Sequence, residues 1–376
     1  MTVETRYAPV AFFCYDRLDT TRETLAALMH NEGAAYTEVY AFCDAARSAQ
    51  DEERVAAVRQ WLRNLPQGAF KAVHIVERPE NFGLNKNIIS GITQVAGTFG
   101  RVIVVEDDIV TAPFFLQYMN NALEEYAGKK EVMMVGGHTQ LNIPQKGDVY
   151  FSPHAQIWGW ATWADRWQYF RHYQSRAEAV EGMTGAEIDA LEYHGAFPIL
   201  QGLDKPSHMW DICWNVEIHK RHGFCLTPTR TLVHNAGMGG GTNYNKWMKY
   251  FGHYIEYPFA DHLPDVRRSP IAADPEIEDV LYPAAMKDWG FQYNLIGKIV
   301  HTLYLPIKRI KNSRSSLSLQ ADGLVANIST PGAGRGRGPL NASSAKQDEA
   351  GYGRGRSELS ERSFAERPSA EKGDKE

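Results

Sequence analysis

Between Pro9 and Gly136 the chain alternates short β-branched or aromatic runs with amphipathic stretches, and that alternation admits few folds. The runs VAFFCY, EVYAFCD, AVHIVE, RVIVVE and EVMMVG are strand-length and largely apolar, as strands are when helices cover both faces of a sheet. Strand, helix and strand repeated in this way build a mostly parallel sheet from βαβ units. In TTRETLAALMHNE, Thr20 precedes Glu23 by three residues as in a capping box, and Leu25, Leu28 and Met29 share one face, which predicts a first crossover helix. Asp51 to Leu65 carries Val55, Val58 and Leu62 at spacings of three and four behind the acidic turn DEE, which predicts a second. Asn85 to Phe99 and Ala112 to Tyr126 are expected to supply two more. The expected product is an α/β half-sheet of the nucleotide-binding kind over residues 1–136, with ligands at the C-terminal strand ends.

With 376 residues, 43% apolar and 23% charged, the chain has an ordinary globular mixture and the length of about two domains of roughly 150 residues, or of one large α/β domain with appendages. Forty Lys and Arg against 45 Asp and Glu give a net charge of −5, so no global charge steers it to nucleic acid and any polyanion site has to be local. Cys14, Cys43, Cys213 and Cys225 include no C-x-x-C pair, which speaks against a disulfide scaffold or thiolate zinc site and for a reducing compartment. MTVETRY has no basic cluster, and the apolar run from Ala8 stops at Asp16 and Arg17, so it reads as a first strand rather than a signal peptide. No run reaches the roughly 18 apolar residues of a spanning helix, and a cytoplasmic location is expected.

Residues 137–260 hold tryptophans at 158, 160, 163, 167, 210, 214 and 247 among many glycines. Such a loop-rich half offers aromatic surface to a sugar or other ring, although for most individual tryptophans core packing is the better account. In residues 261–311, LIGKIVHTLYLPIKRIKNSR combines apolar positions with Lys298, Lys308, Arg309 and Lys311. A basic amphipathic helix of this kind suits either the inner face of an anionic membrane or a terminal core helix. Over 312–376 apolar residues thin out and GAGRGRG and GYGRGR appear, so a disordered tail is expected.

The chemistry centres on RVIVVEDDIV, an apolar strand running into Glu106, Asp107 and Asp108. Three carboxylates at a strand end repel one another unless a cation joins them, and hard oxygen ligands select Mg2+ or Mn2+. Such an ion would neutralise a diphosphate and stabilise it as a leaving group. Capping of a helix starting near Thr111 and Pro113 is the alternative, and it accounts for one acid better than for three.

The strand APVAFFCYDR with its helix, then RPENFGLNKNIISGI, VVEDDIV and APFFLQYM, with WGWATW and WDICWN downstream, resemble a GT-A glycosyltransferase. They are similar to the bacterial family 2 type and to the N-acetylglucosaminyltransferase I group over about Pro9 to Tyr250. The resemblance implies a GT-A (Rossmann-like) fold with a loop-rich acceptor half. It also implies a nucleoside-diphosphate sugar donor, with UDP favoured, a divalent metal, and transfer to a glycan or lipid-linked acceptor hydroxyl. Surface polysaccharide synthesis would be the setting, with peripheral membrane contact and no nucleic acid. It makes Asp108 the metal ligand, sets Glu106 and Asp107 toward the ribose or sugar, and puts Tyr15, Asp16 and Arg17 beside the nucleotide. Asp44 stands where a carboxylate receives the base N–H, or else caps a helix or turn. Arg78 and Asn81 join the donor side on the order of elements, with Gly83 opening a phosphate-friendly helix N-terminus; a solvated surface charge is the other reading of Arg78.

An inverting transfer needs a base within hydrogen-bond reach of the acceptor hydroxyl. In SHMWDICWN, Asp211 stands after Trp210 where similar enzymes place that base, and apolar neighbours would raise its pKa; a helix N-cap is compatible with the same position. Trp158, Gly159 and Trp160 resemble the loop that touches donor and acceptor, and Trp210 is an acceptor-side candidate. His234 in TLVHNAGMGGGTNYN is a candidate metal ligand or an ordinary loop histidine, and the glycines after it suit a lid. Two other classes compete: a non-catalytic glycan-binding or scaffold protein, and a sugar nucleotidylyltransferase, which FFCYDRLDTT disfavours because it lacks a glycine-rich loop. A phosphatase with an Asp nucleophile would want its acids on the first strand.

Overall fold

The computed structural model describes residues 7–204, 209–239 and 257–288. The glycine run after 239, the basic amphipathic segment from Leu295 and the tail all lie outside the described residues. Strands β1 (Val10–Cys14), β2 (Glu38–Cys43), β3 (Ala72–Glu77) and β4 (Arg101–Glu106) alternate with helices α1 (Leu18–Met29), α2 (Ala49–Arg63) and α3 (Gly83–Phe99). There follow β5 (Ile109–Thr111), α4 (Phe115–Glu125), β6 (Val132–Gly136), β7 (Val149–Ser152) and β8 (Trp160–Trp163). Three short helices, α5 (Ala164–Trp167), α6 (Arg176–Ala179) and α7 (Gly185–Leu191), lead to α8 (Trp210–Lys220). The described residues end with β9 (Phe224–Pro228), β10 (Val233–Asn235) and α9 (Pro275–Asp288).

One sheet runs β3-β2-β1-β4-β8-β6-β9-β7, and β5 pairs with β10 in a two-stranded ribbon. β3, β2, β1 and β4 pair in parallel, β8 stitches antiparallel between β4 and β6, and β6 pairs in parallel with β9. The sheet is therefore mostly parallel, Rossmann-like in its first half, and continuous across residue 136. Alternation along each strand divides the core between the two faces. Val10, Phe12, Ile103 and Val105 join the cluster under α1, α2 and α4. Ala11, Phe13, Val102 and Val104 join the one under α3 and α8, with Trp160, Trp210 and Trp214.

Two helix starts differ from the sequence expectation. α1 begins at Leu18 behind Arg17, with no side-chain cap, and the Thr20 hydroxyl donates back to the Arg17 carbonyl at 3.3 Å instead of forming a capping box. The first turn is set by the chain leaving β1, so Thr20 already lies inside the helix. Thr111 and Pro113 do not open a helix: Ile109–Thr111 pairs with β10, and α4 starts at Phe115. The EDD acids are thus followed by a strand, which removes helix capping as the explanation for them.

Candidate active site

The ends of β1, β2 and β4 meet at one edge of the sheet. β1 and β4 are in register up to Phe13 and Glu106, so the residues just beyond, Tyr15 to Arg17 and Asp107 to Asp108, confront each other. Arg17 bridges Asp107 and Asp108, bonding Asp108 Oδ2 at 2.9 Å. Burial lowers the guanidinium pKa, but the two carboxylates outweigh it and raise it overall. Thr24 on α1 donates to the Asp107 carbonyl at 3.1 Å, anchoring the turn from below.

The acids are strongly coupled. Burial, then the charges of Asp108, Asp107 and Asp211, push Glu106 up to about 8 against the opposing pull of Arg17. Asp107 is raised to about 6 by burial, with Arg17 pulling it down. The influence of Asp211 on Glu106 brings the start of α8 to the end of β4, 105 residues earlier in the chain. Asp211 is the second residue of α8 rather than its N-cap, which is Met209. The helix start is fixed by Asn85 Oδ1 on α3, which accepts from the Trp210 N–H at 3.2 Å.

Asp44 belongs to the same edge but is engaged. Its Oδ1 accepts from the N–H groups of Ala45 and Phe82, and its Oδ2 from the Gly83 N–H and the Asn81 side-chain amide. Asp44 and Asn81 therefore tie the end of β2 to the start of α3, the capping role open to Asp44 at the sequence level. Arg78 is also bound by α3, through Asn87 Oδ1 at 2.8 Å and Ser90 Oγ at 2.9 Å, and lies between the rings of Phe42 and Phe82. Tyr15 turns to α2, donating to Asp51 and accepting from the Arg47 N–H.

Among the aromatic candidates, Trp160 and Trp210 differ from the acceptor-platform expectation: both are buried, 0% and 2% exposed, with their rings stacked at 5.7 Å inside the core. Their apolar faces are used up by the sheet and α8. Trp158 is half-buried beside His138, centroids 4.5 Å apart. Gly159, with φ +56, is pressed against Phe115 and Val233, where a Cβ would come within 3.0 Å of Phe115 and 2.8 Å of Val233. His234 stacks on Phe259 at 3.9 Å, and its Nε2 faces the Tyr257 carbonyl at 2.7 Å.

Two further groups belong to this edge. Arg59 on α2 gathers the carbonyls of Cys43, Asp44 and Arg78, fixing the ends of β2 and β3 together. The segment after β10 lies over Asp108: the Ala236 N–H donates to the Asp108 carbonyl at 2.8 Å, and Gly237 leaves room for the Asp108 carboxylate. An arginine on a helix and a glycine among glycines carry no local mark of such roles. For a divalent cation the oxygens are suitable, since Asp107 is 3% exposed and its Oδ2 is buried with no hydrogen-bond partner. Among the described residues no group of three His, Cys, Asp or Glu side chains is arranged to hold a metal, so the described residues offer only part of a hard-oxygen shell.

No family model matches the chain, and no curated protein matches it. Among solved structures, that of S. aureus TarS aligns at a TM-score of 0.26 and 15% identity, over 34% of this chain. The match spans one fifth of that chain's length and carries no weight for activity. Among the described residues, no helix is long and apolar enough to cross a membrane.

Proposed function

We propose that the chain is a GT-A type inverting glycosyltransferase, moving a sugar from a nucleoside-diphosphate sugar to a hydroxyl of a glycan or lipid-linked acceptor. The observation that carries this reading is the meeting of Glu106 with Asp107, Asp108 and Asp211, the middle two bridged by Arg17, at the C-terminal edge of parallel strands, where open α/β sheets bind their ligands. In this reading Asp211 takes the acceptor proton as the hydroxyl oxygen bonds the anomeric carbon. The bond from that carbon to the diphosphate oxygen breaks, and the diphosphate leaves with the bonding pair. Arg17 orients the diphosphate, and Glu106, whose carboxyl is pushed up by burial and by the neighbouring acids, faces the sugar or ribose. Mg2+ or Mn2+, held by Asp108, would supply charge neutralisation of the leaving diphosphate.

One observation favours a non-catalytic glycan-binding protein instead: Arg17 already answers two of the acids. The two readings separate on UDP-, GDP- and dTDP-sugars tested with and without Mn2+, by thermal shift and by nucleoside-diphosphate release. The enzyme reading expects turnover with one donor, lowered about 10²- to 10⁴-fold in Asp211→Asn while the donor-induced shift persists. Binding without turnover on every donor and acceptor tried would favour the glycan-binding protein.

A further inference from the structure

We infer that Asn235, the residue after the sequence-level candidate His234, is a protein ligand for a divalent cation alongside Asp108, and that Gly237 keeps that seat open. Successive side chains on a strand take opposite faces. On β10, His234 turns its ring to Phe259 and the Tyr257 carbonyl. Asn235 turns the other way, and its Oδ1 is buried with no hydrogen-bond partner. Such an orphaned acceptor is costly unless something answers it. The neighbour is Asp108: a Cβ built on Gly237 would collide with Asp108 Oδ2 and stand 2.9 Å from Asn235 Oδ1, so the two oxygens flank one small space. The backbone fixes this approach twice, by the Asn235–Ile109 register of the ribbon and by the Ala236 N–H on the Asp108 carbonyl. A carboxylate and an amide carbonyl oxygen side by side suit a hard divalent ion, which would take over Asp108 Oδ2 from Arg17, now bonded to it at 2.9 Å, and whose remaining positions would go to water and donor oxygens.

The inference rests on the proposed reading of Asp108, and the test separates the two. Mn2+ alone, and then Mn2+ with UDP, is titrated into the full chain while the paramagnetic resonance signal of the free ion is followed, with folding checked by circular dichroism. Asn235→Ala is expected to weaken Mn2+ binding by at least about tenfold, no less than loss of an outer-shell partner. Asn235→Asp, which keeps an oxygen donor, is expected to retain it. Gly237→Ala fills the cradle and is expected to weaken binding as well. Equal affinity in wild type and Asn235→Ala, with loss only in Asp108→Ala, would overturn the assignment of Asn235 and leave the proposed function standing. Absence of Mn2+ binding to wild type, with or without UDP, would overturn it too; the enzyme reading would then be decided by metal-free turnover.

Discussion

Arg17 is the residue on which the acidic edge depends. It is the guanidinium bonded to both Asp107 and Asp108, and Asp107 is almost wholly buried. Arg17→Ala leaves a buried carboxylate without its partner. Because Arg17 is 31% exposed, the full buried-pair penalty is discounted, and a loss on the order of 2 kcal/mol is expected in urea unfolding. Millimolar Mn2+ should restore part of that loss in the variant. The acids themselves were legible, since an apolar strand ending in three carboxylates has few explanations, and so was Asp211 behind Trp210. The roles of Arg59, Asn235 and Gly237 were not. The last two depend on β10 being laid beside β5, segments distant in sequence, and Arg59 on carbonyls at the ends of the strands flanking α2; neither kind of approach leaves a periodicity to read. Trp160 and Trp210 were misplaced for a related reason, because composition does not distinguish a tryptophan facing a ligand from one facing a helix.

At the scale of elements, α3 gives a paired test of packing. A Cβ on Gly91 would stand 2.5 Å from Phe13 and 3.0 Å from Phe42, whereas one on Gly97 meets nothing within 4 Å. Gly91→Ala therefore sets overpacking of about 1–3 kcal/mol against a helix gain of up to about 1 kcal/mol, for a net loss. Gly97→Ala, with the gain alone, should raise the melting temperature. The second test lies where α7, α8 and α9 enclose His154, His219, Tyr193 and Tyr282. His154 stacks on Tyr193 at 3.6 Å, and its Nδ1 stands 3.3 Å from His219 Nε2. Burial, with the nearby charge of His222, lowers His219 to about 4; burial with His219 and His194 lowers His154 well below its usual value. Between pH 6.5 and 4 the unfolded chain binds protons that the folded histidines exclude, so stability is lost as pH falls through that window. For His219 the loss is on the order of 3 kcal/mol. His219→Gln should flatten melting temperature against pH there; an unchanged slope would remove His219 as the cause. Element types along the first half were legible because fully covered strands are apolar throughout, while the helix starts were displaced by turns that tertiary contacts set.

Across the whole molecule, the antiparallel strand β8 holds the sheet together, bonded to β4 on one side and to β6 on the other. The Thr162 hydroxyl adds a buried bond to the Met133 carbonyl at 2.8 Å. A sheet stitched in this way should unfold as a unit. Indole fluorescence and far-ultraviolet circular dichroism are expected to lose their signals at the same urea concentration, and two separated transitions would mean that the halves on either side of residue 136 melt independently. The same order of strands has a consequence during synthesis. β6 is made before either of its neighbours, since β8 follows it by more than twenty residues and β9 by about ninety. Until those segments leave the ribosome, Val132 to Gly136 is an apolar strand with two open edges, and the edge of β4 waits with it. Nascent chains of this protein therefore pass through a long interval in which the surfaces most prone to pairing with other chains belong to the centre of the finished sheet.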